Sequence, residues 1–320
     1  MFRKILVVVS LLLHASLSWA HEAVLPEQIE SLALQQLADD VYIIQGPQQF
    51  PSPETAGFMN NPGFVVTSGG IVVIDPGSSV QIGALLLKRI REVSSAQVIA
   101  VFNTHVHGDH WLGNQAIREA YPEVPIYAHT RMIERVDAGE GEDWIENFAR
   151  STQGATTGTR VVVPDIGLIG GERLNIGGEH FEIYHTGTAH TNNDLMIEFT
   201  REKSIFLGDI VTQQRVQSAR PEDSDIEGQI AAVEFALRTE NQVFIPGHGH
   251  AGGREIALSQ LKFLQDLYAS VKKHYANGLA DYEMKVEVLE DMRAYKDWVN
   301  FNELGQVISY VYLKVEEDSF

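Results

Sequence analysis

Seven consecutive residues constrain this chain more than any other feature: Thr104-His105-Val106-His107-Gly108-Asp109-His110. They follow a short apolar run, Gln97 to Phe102, whose length and composition predict a buried strand. Imidazole and carboxylate are first-row metal ligands, and three histidines and an aspartate packed this closely can serve two metals. His105 and His107 alternate in an extended turn, so both face the same point. Asp109 and His110 fall where the next helix begins and point to a neighbouring site. Three later positions complete the pattern. His190 lies in Gly187-Thr188-Ala189-His190-Thr191, Asp209 in Leu207-Gly208-Asp209-Ile210, and His248 in Ile245-Pro246-Gly247-His248-Gly249. Each has a glycine nearby that permits close backbone approach. Ligands gathered at one rim of a sheet are how an α/β fold builds a site.

The rest of the sequence supplies the scaffold for such a rim. Val41–Ile44, Phe64–Thr67 and Ile71–Ile74 are β-rich, the last two joined by the turn Ser68-Gly69-Gly70. Val80 to Glu92 carries Ile82, Leu85, Leu86 and Ile90 on one helical face. A helix over Asn114–Tyr121 and a strand over Pro125–Tyr127 follow, then an acidic helical stretch, Arg131–Arg150, and a polar loop, Ser151–Thr159. Strands are expected at Val161–Val163, His180–Tyr184, Leu195–Phe199, Ser204–Leu207 and Val243–Ile245. Helices are expected at Ile230–Leu237 and Glu255–Asn277. Strands and helices thus alternate twice, which predicts a layered α/β fold with sheets in the middle. A helical tail covers Asp281–Phe320.

Composition narrows the chemistry. The chain has 320 residues, no cysteine, 24 basic and 43 acidic residues, and a net charge of -19. Without cysteine there are no disulfides, thiolate ligands or cysteine nucleophile. The acidic balance argues against broad charge-driven binding to nucleic acid or anionic membrane. Arg3 and Lys4 precede an apolar run, Ile5–Leu13, and Ser18-Trp19-Ala20 presents small residues where a signal peptidase reads. The expectation is a signal peptide over 1–20 cleaved after Ala20, a periplasmic or secreted protein, and no membrane insertion after cleavage.

The run His105-x-His107-x-Asp109-His110, then His190, Asp209 and His248, with Asp75 after its own strand, resembles the five motifs of the metallo-β-lactamase superfamily. The resemblance implies an α/β fold, specifically a four-layer αβ/βα sandwich, over residues 21–278, with a C-terminal helical extension over 279–320. It implies that His105, His107 and His190 hold a first metal and that Asp109, His110 and His248 hold a second. Asp209 bridges both. Two zinc ions are the default, with iron or manganese accepted by the same donors. Classical β-lactamases of the family carry a cysteine at the bridge or lack a bridging residue. An aspartate there is typical of its glyoxalase II, lactonase and phosphodiesterase branches. The implied mechanism is attack by a metal-bridging hydroxide, with Asp109 as ligand and catalytic proton handler.

The expected activity is hydrolysis of an ester, thioester, lactone or related amide bond in a small-molecule substrate. An iron-dependent sulfur dioxygenase-like redox enzyme and a β-lactam hydrolase stand as alternatives, and a non-catalytic metal-binding accessory as a third. The stretches His190–Leu195, Leu207–Val211 and Tyr295-Lys296-Asp297-Trp298 are similar to exported quinoprotein-relay-type zinc metallohydrolases. That similarity implies a periplasmic quinoprotein system as partner.

Other residues allow two readings. Thr191 to Asp194 either orient ligands or turn the chain into the next strand. His185 reads as a strand residue, His250 as a loop residue, and His129, His180 and His274 as surface or structural. Trp111 is expected to pack beneath the histidine motif. Phe50, Phe58 and Met59 of the Gly46–Gly63 loop either wall the pocket or pack on the sheet. The 131–159 stretch, with Trp144 and Phe148, is either a lid or an amphipathic surface helix.

Overall fold

The apolar runs do become strands, and their alternation sets the layers. The computed structural model describes residues 25–217 and 223–319, so the leader expected over 1–20 lies outside the described residues. A single helical turn, α1 (Glu27–Glu30), leads to β1 (Leu34–Ala38), β2 (Val41–Ile44), β3 (Gly63–Thr67) and β4 (Gly70–Ile74). Helix α2 (Val80–Val93) precedes β5 (Val98–Phe102), and the short α3 (Gly108–Trp111) and α4 (Asn114–Ala120) precede β6 (Ile126–His129). Then come α5 (Thr130–Arg135), a π-helical turn at Val136–Glu140, α6 (Gly141–Ser151) and β7 (Ile166–Leu168). These seven strands form one sheet in sequence order, antiparallel up to β4 and parallel from β4 to β7.

The second sheet holds β8 (Arg173–Ile176), β9 (Glu179–Tyr184), β10 (Met196–Phe199), β11 (Ser204–Phe206) and, after α7 (Ile226–Arg238), β12 (Val243–Ile245). Helices α8 (Arg254–Ala276), α9 (Asp281–Asp291) and α10 (Leu304–Glu317) complete the chain. In β4, Ile71 and Val73 face the helical side while Val72 and Ile74 face the other sheet. That two-residue period places one sheet between two apolar contacts. Phe102, Phe181, Phe199 and Phe206 fill the space between sheets. Ile82, Leu85, Leu86 and Ile90 of α2 cover the first sheet. Val233, Leu264, Leu267, Val288, Ile308 and Val311 cover the second. The result is the four-layer αβ/βα sandwich.

Helix starts follow side-chain chemistry. Ser79 Oγ accepts from Ile82 N at 3.3 Å ahead of α2, and Asp225 accepts from Glu227 N and Gly228 N ahead of α7. Aromatic contacts fasten the tail, since Trp298 stacks on Phe263 with centroids 4.8 Å apart and Tyr295 meets both edge-on.

Three local expectations need correction. Val161–Val163 is not a strand. Val161 and Val163 pack on the Trp111 cluster instead, and the edge strand is β7, whose Ile166 and Gly167 face solvent. Edge strands β1 and β8 are short, only partly buried and carry little apolar signal, so the sequence does not mark them. The single helix expected over Arg131–Arg150 is broken at Gly139, whose φ of 108° no continuous helix allows.

Candidate metal centre

All seven histidines and aspartates singled out by the sequence meet at the rim where the two sheets present their loops. Strand β5 ends at Phe102, and the extended residues that follow deliver His105 and His107. The short α3 then turns Asp109 and His110 inward. His190 precedes β10, Asp209 follows β11 and His248 follows β12. Ligand atoms of His105, His107, His190 and Asp209 lie within 4.8 Å of one another, and so do those of Asp109, His110 and His248. All seven side chains are buried.

Asp209 touches both groups. Its Oδ2 is 3.6 Å from His190 Nε2 and 3.3 Å from His248 Nε2, and its Oδ1 is 3.3 Å from His110 Nε2. Asp109 Oδ2 lies 3.2 Å from His248 Nε2 and 3.4 Å from His110 Nε2. Only glycine fits behind the bridging position, because a Cβ on Gly247 would stand 2.0 Å from Asp209 Oδ1.

An outer ring of hydrogen bonds fixes which imidazole nitrogen faces inward. His110 Nδ1 is 2.8 Å from Asp75 Oδ2, and His248 Nδ1 donates to Met59 O at 2.7 Å. Each bond leaves Nε2 as the inward lone pair. Asp75 also accepts from Thr104 N and Thr104 Oγ1, at 2.8 and 2.6 Å, locking the strand end to the first histidine. Asn193 Oδ1 accepts from Val106 N, and Asp194 accepts from Thr191 N and Oγ1. Thr191, Asn193 and Asp194 therefore brace the site. Burial pushes the Asp194 carboxyl up to about 8 despite those donors.

The charges at the centre want cations. Burial, then His110 and His107, hold His105 well below the ordinary histidine range. Burial alone would raise Asp109 and Asp209, but the surrounding histidines hold both well below the usual carboxylate range. His105 Nε2 and Asp209 Oδ1 are buried with no hydrogen-bond partner among the described residues. Orphaned lone pairs converging from a nitrogen and oxygen donor set fit bound divalent metal.

The ambiguous residues also find places. Trp111 is fully buried and donates from Nε1 to Val106 O at 2.8 Å. Phe58 packs in the core, while Phe50 stays exposed. Trp144 of α6 stands 5.2 Å from the His107 ring, so the 131–159 stretch forms a wall of the centre. His129 and His274 are buried, His129 against His185 at 4.3 Å and His274 on Asp291 at 3.0 Å. Sequence reasoning missed Asn61, whose Nδ2 donates to Pro246 O and Gly249 O around His248. It missed Gln217 and Gln229, which donate to the carbonyl of Asp209. The Asn60-Asn61-Pro62-Gly63 turn was a usable signal for the first; the glutamines carry none.

Comparison with known proteins agrees with this geometry. The family model described as the metallo-beta-lactamase superfamily matches residues 55–248. A hydroxyacylglutathione hydrolase of Francisella tularensis subsp. novicida (strain U112) is 24% identical over 212 residues, 66% of this chain and 69% of the relative. Among solved structures, a metallo-beta-lactamase from Pontibacter korlensis superposes with a TM-score of 0.58 at 20% identity, over 73% of this chain and 99% of that one. A stereoselective inverting sec-alkylsulfatase from Pseudomonas sp. superposes with a TM-score of 0.67 at 16% identity, over 88% of this chain and 50% of that one. At these identities the structural likenesses speak for the fold.

Proposed function

We propose, on the premise that this chain belongs to the metallo-beta-lactamase superfamily of hydrolases, that it is an exported dinuclear hydrolase acting on a small thioester, with esters and lactones next in preference. The observation that carries the reading is Asp209, a single carboxylate facing both ligand groups. His105, His107 and His190 would hold one cation, Asp109, His110 and His248 the other, and Asp209 both. Zinc suits these donors best, with iron and manganese as alternatives. Bound there, such cations would lower the pKa of a water toward neutrality and supply a Lewis acid for the attacked carbonyl.

The chain's own groups supply the rest. Asp109 Oδ2, held between His110 and His248, orients the attacking water and takes its proton. Trp144 closes the His107 side against bulk solvent. The hydroxyacylglutathione hydrolase relative supports the thioester preference. Export is supported by Arg3, Lys4, the Ile5–Leu13 run and Ser18-Trp19-Ala20, and the quinoprotein partner by the motif similarity alone.

The test is an assay of purified protein, loaded with zinc, iron or manganese, on matched thioesters, esters, lactones and β-lactams, with metal content measured alongside. The expected outcome is about two metals per chain and metal-dependent turnover led by the thioesters. A β-lactam as best substrate refutes the substrate preference. A mononuclear iron protein that consumes oxygen, or no metal-dependent turnover across the panel, refutes the hydrolase.

A further inference from the structure

One three-residue segment touches what orients both imidazoles of the second proposed cation site. Met59, Asn60 and Asn61 stand near the end of the Gly46–Gly63 loop, and both asparagines are buried. Met59 O accepts from His248 Nδ1 at 2.7 Å. Asn61 frames the same histidine. Its Nδ2 donates to Pro246 O at 2.9 Å and to Gly249 O at 2.8 Å, and its N donates to Gly247 O at 2.8 Å. Its Oδ1 accepts from Gly46 N at 3.2 Å. An N–H on the amide oxygen and two carbonyls on the amide nitrogen leave that side chain one orientation.

Asn60 reaches the other half of the sandwich, where its Nδ2 donates to Asp75 O at 3.1 Å. Asp75 has a φ of 49°, in the left-handed region that a residue with a Cβ enters only at a cost. In that conformation its carboxylate meets His110 Nδ1 at 2.8 Å. The bond from Asn60 thus holds the strained residue that orients His110. The first proposed site takes its bracing elsewhere. His105 Nδ1 is 3.0 Å from Thr104 Oγ1, and the His190 loop rests on Asp194 through Thr191.

The start and end of the loop are seated together. A Cβ on Gly46 would stand 2.2 Å from Asn60 O and 2.7 Å from the Met59 carbonyl carbon, so only glycine lets backbone pack on backbone there. A cation on His248 Nε2 makes Nδ1–H a stronger donor to Met59 O, and that bond in turn aims Nε2 at the cation. The two contacts favour each other.

We propose that Met59–Asn61 is the positioning segment of the second cation site, with Asn61 its principal residue, and that seating of the 46–61 loop and filling of that site are coupled. Resting on the dinuclear hydrolase reading, this makes the loop complete the centre only when both cations are bound. The coupling is reciprocal: whatever loosens the loop weakens the second cation, and that cation tightens the loop by the same factor.

Two readouts test this without recourse to turnover. In the first, stepwise zinc affinities are measured by competition with a chelator, and the step that Asp109→Ala removes marks the second site. Asn61→Ala should weaken that step about tenfold or more and leave the other nearly unchanged. Gly46→Ala alters no polar group and should weaken the same step by pushing the loop off Asn60. A merely structural Asn61 would lower the melting temperature and weaken both steps alike. That result, or no weakening of either step, overturns the proposal.

The second readout is hydrogen exchange, which needs no variant of the loop. Amides of 46–61 should exchange about fivefold more slowly or better in the two-zinc protein than in the metal-free one. In Asp109→Ala holding one zinc they should exchange as in the metal-free protein. No slowing in the wild type, or equal slowing in Asp109→Ala, overturns the coupling. Should Asn61→Ala fail to fold, Gly46→Ala and the exchange measurement decide. Uptake of a single zinc by the wild type overturns the proposal and the dinuclear reading together. Two zincs with the selective loss, but no turnover of any thioester, ester or lactone, strikes the hydrolase reading and leaves the positioning segment standing.

Discussion

The two halves of the sandwich contribute to the centre in opposite ways. The first half delivers four of the seven residues, His105, His107, Asp109 and His110, from one turn at the end of β5. Their spacing alone brings them close, and one buried carboxylate, Asp75, ties the turn to its strand through Thr104 and His110. The second half delivers His190, Asp209 and His248 from three separate loops, and each needs its own support. Asp194 and Asn193 brace the His190 loop, Gln217 and Gln229 hold the carbonyl of Asp209, and Asn61 reaches across from the first half to frame His248. A local cluster depends on few supports and fails all at once; a distributed one depends on many and fails by degrees.

The largest effect should come from breaking the local half. Asp109→Ala should reduce kcat by about a hundredfold or more, since a positioned proton handler and a ligand are lost together. Metal analysis should show second-site occupancy falling while circular dichroism and melting behaviour stay native. Near-wild-type turnover would reject the ligand assignment. Next is Asp75→Ala, which leaves every proposed ligand present but frees His110 and Thr104. Metal affinity should drop about 10- to 100-fold, read by competition with a chelator.

The distributed half should yield less per substitution. Gln229→Leu removes donors to the carbonyls of Asp209 and Ile210 but leaves Gln217 in place. The expected loss in metal affinity is about tenfold or less, smaller than for Asp75→Ala. A larger loss would show that the second half, too, hangs on a single support.

The smallest effect concerns the tail. Hydrogen bonds from Lys273 and Ser270, with help from His274, lower the Asp291 carboxyl from 3.8 to about 2. A carboxyl lowered on folding stabilises the fold above its unfolded value and loses that contribution as pH falls from 3.8 through about 2. Asp291→Asn should therefore cost a little stability at neutral pH and flatten the acid limb of a melting-temperature profile in that window. Partial exposure of these partners keeps the effect small.

Much of this was legible in the chain. Short apolar runs marked the central strands because a strand buried on both faces must be apolar throughout, as in Ile71–Ile74. Histidine and aspartate at strand ends marked the centre because few structural needs place three imidazoles within six residues. The edge strands β1, β7 and β8 were missed or misplaced because little of them is buried. The break at Gly139 was missed because the amphipathic pattern runs across it.

The sequence by itself determined the layered α/β plan and, through the absence of cysteine, a nitrogen and oxygen ligand set with aspartate as the proposed bridge. It also determined the order in which seven candidate residues appear. Only the tertiary structure decided that Asp209 faces both groups and that Asn61 and two glutamines hold the distant loops. Periodicity and spacing encode which face of an element is buried. They do not encode which loops from distant strands converge, because that depends on how the two sheets stack and on the tail that packs behind them.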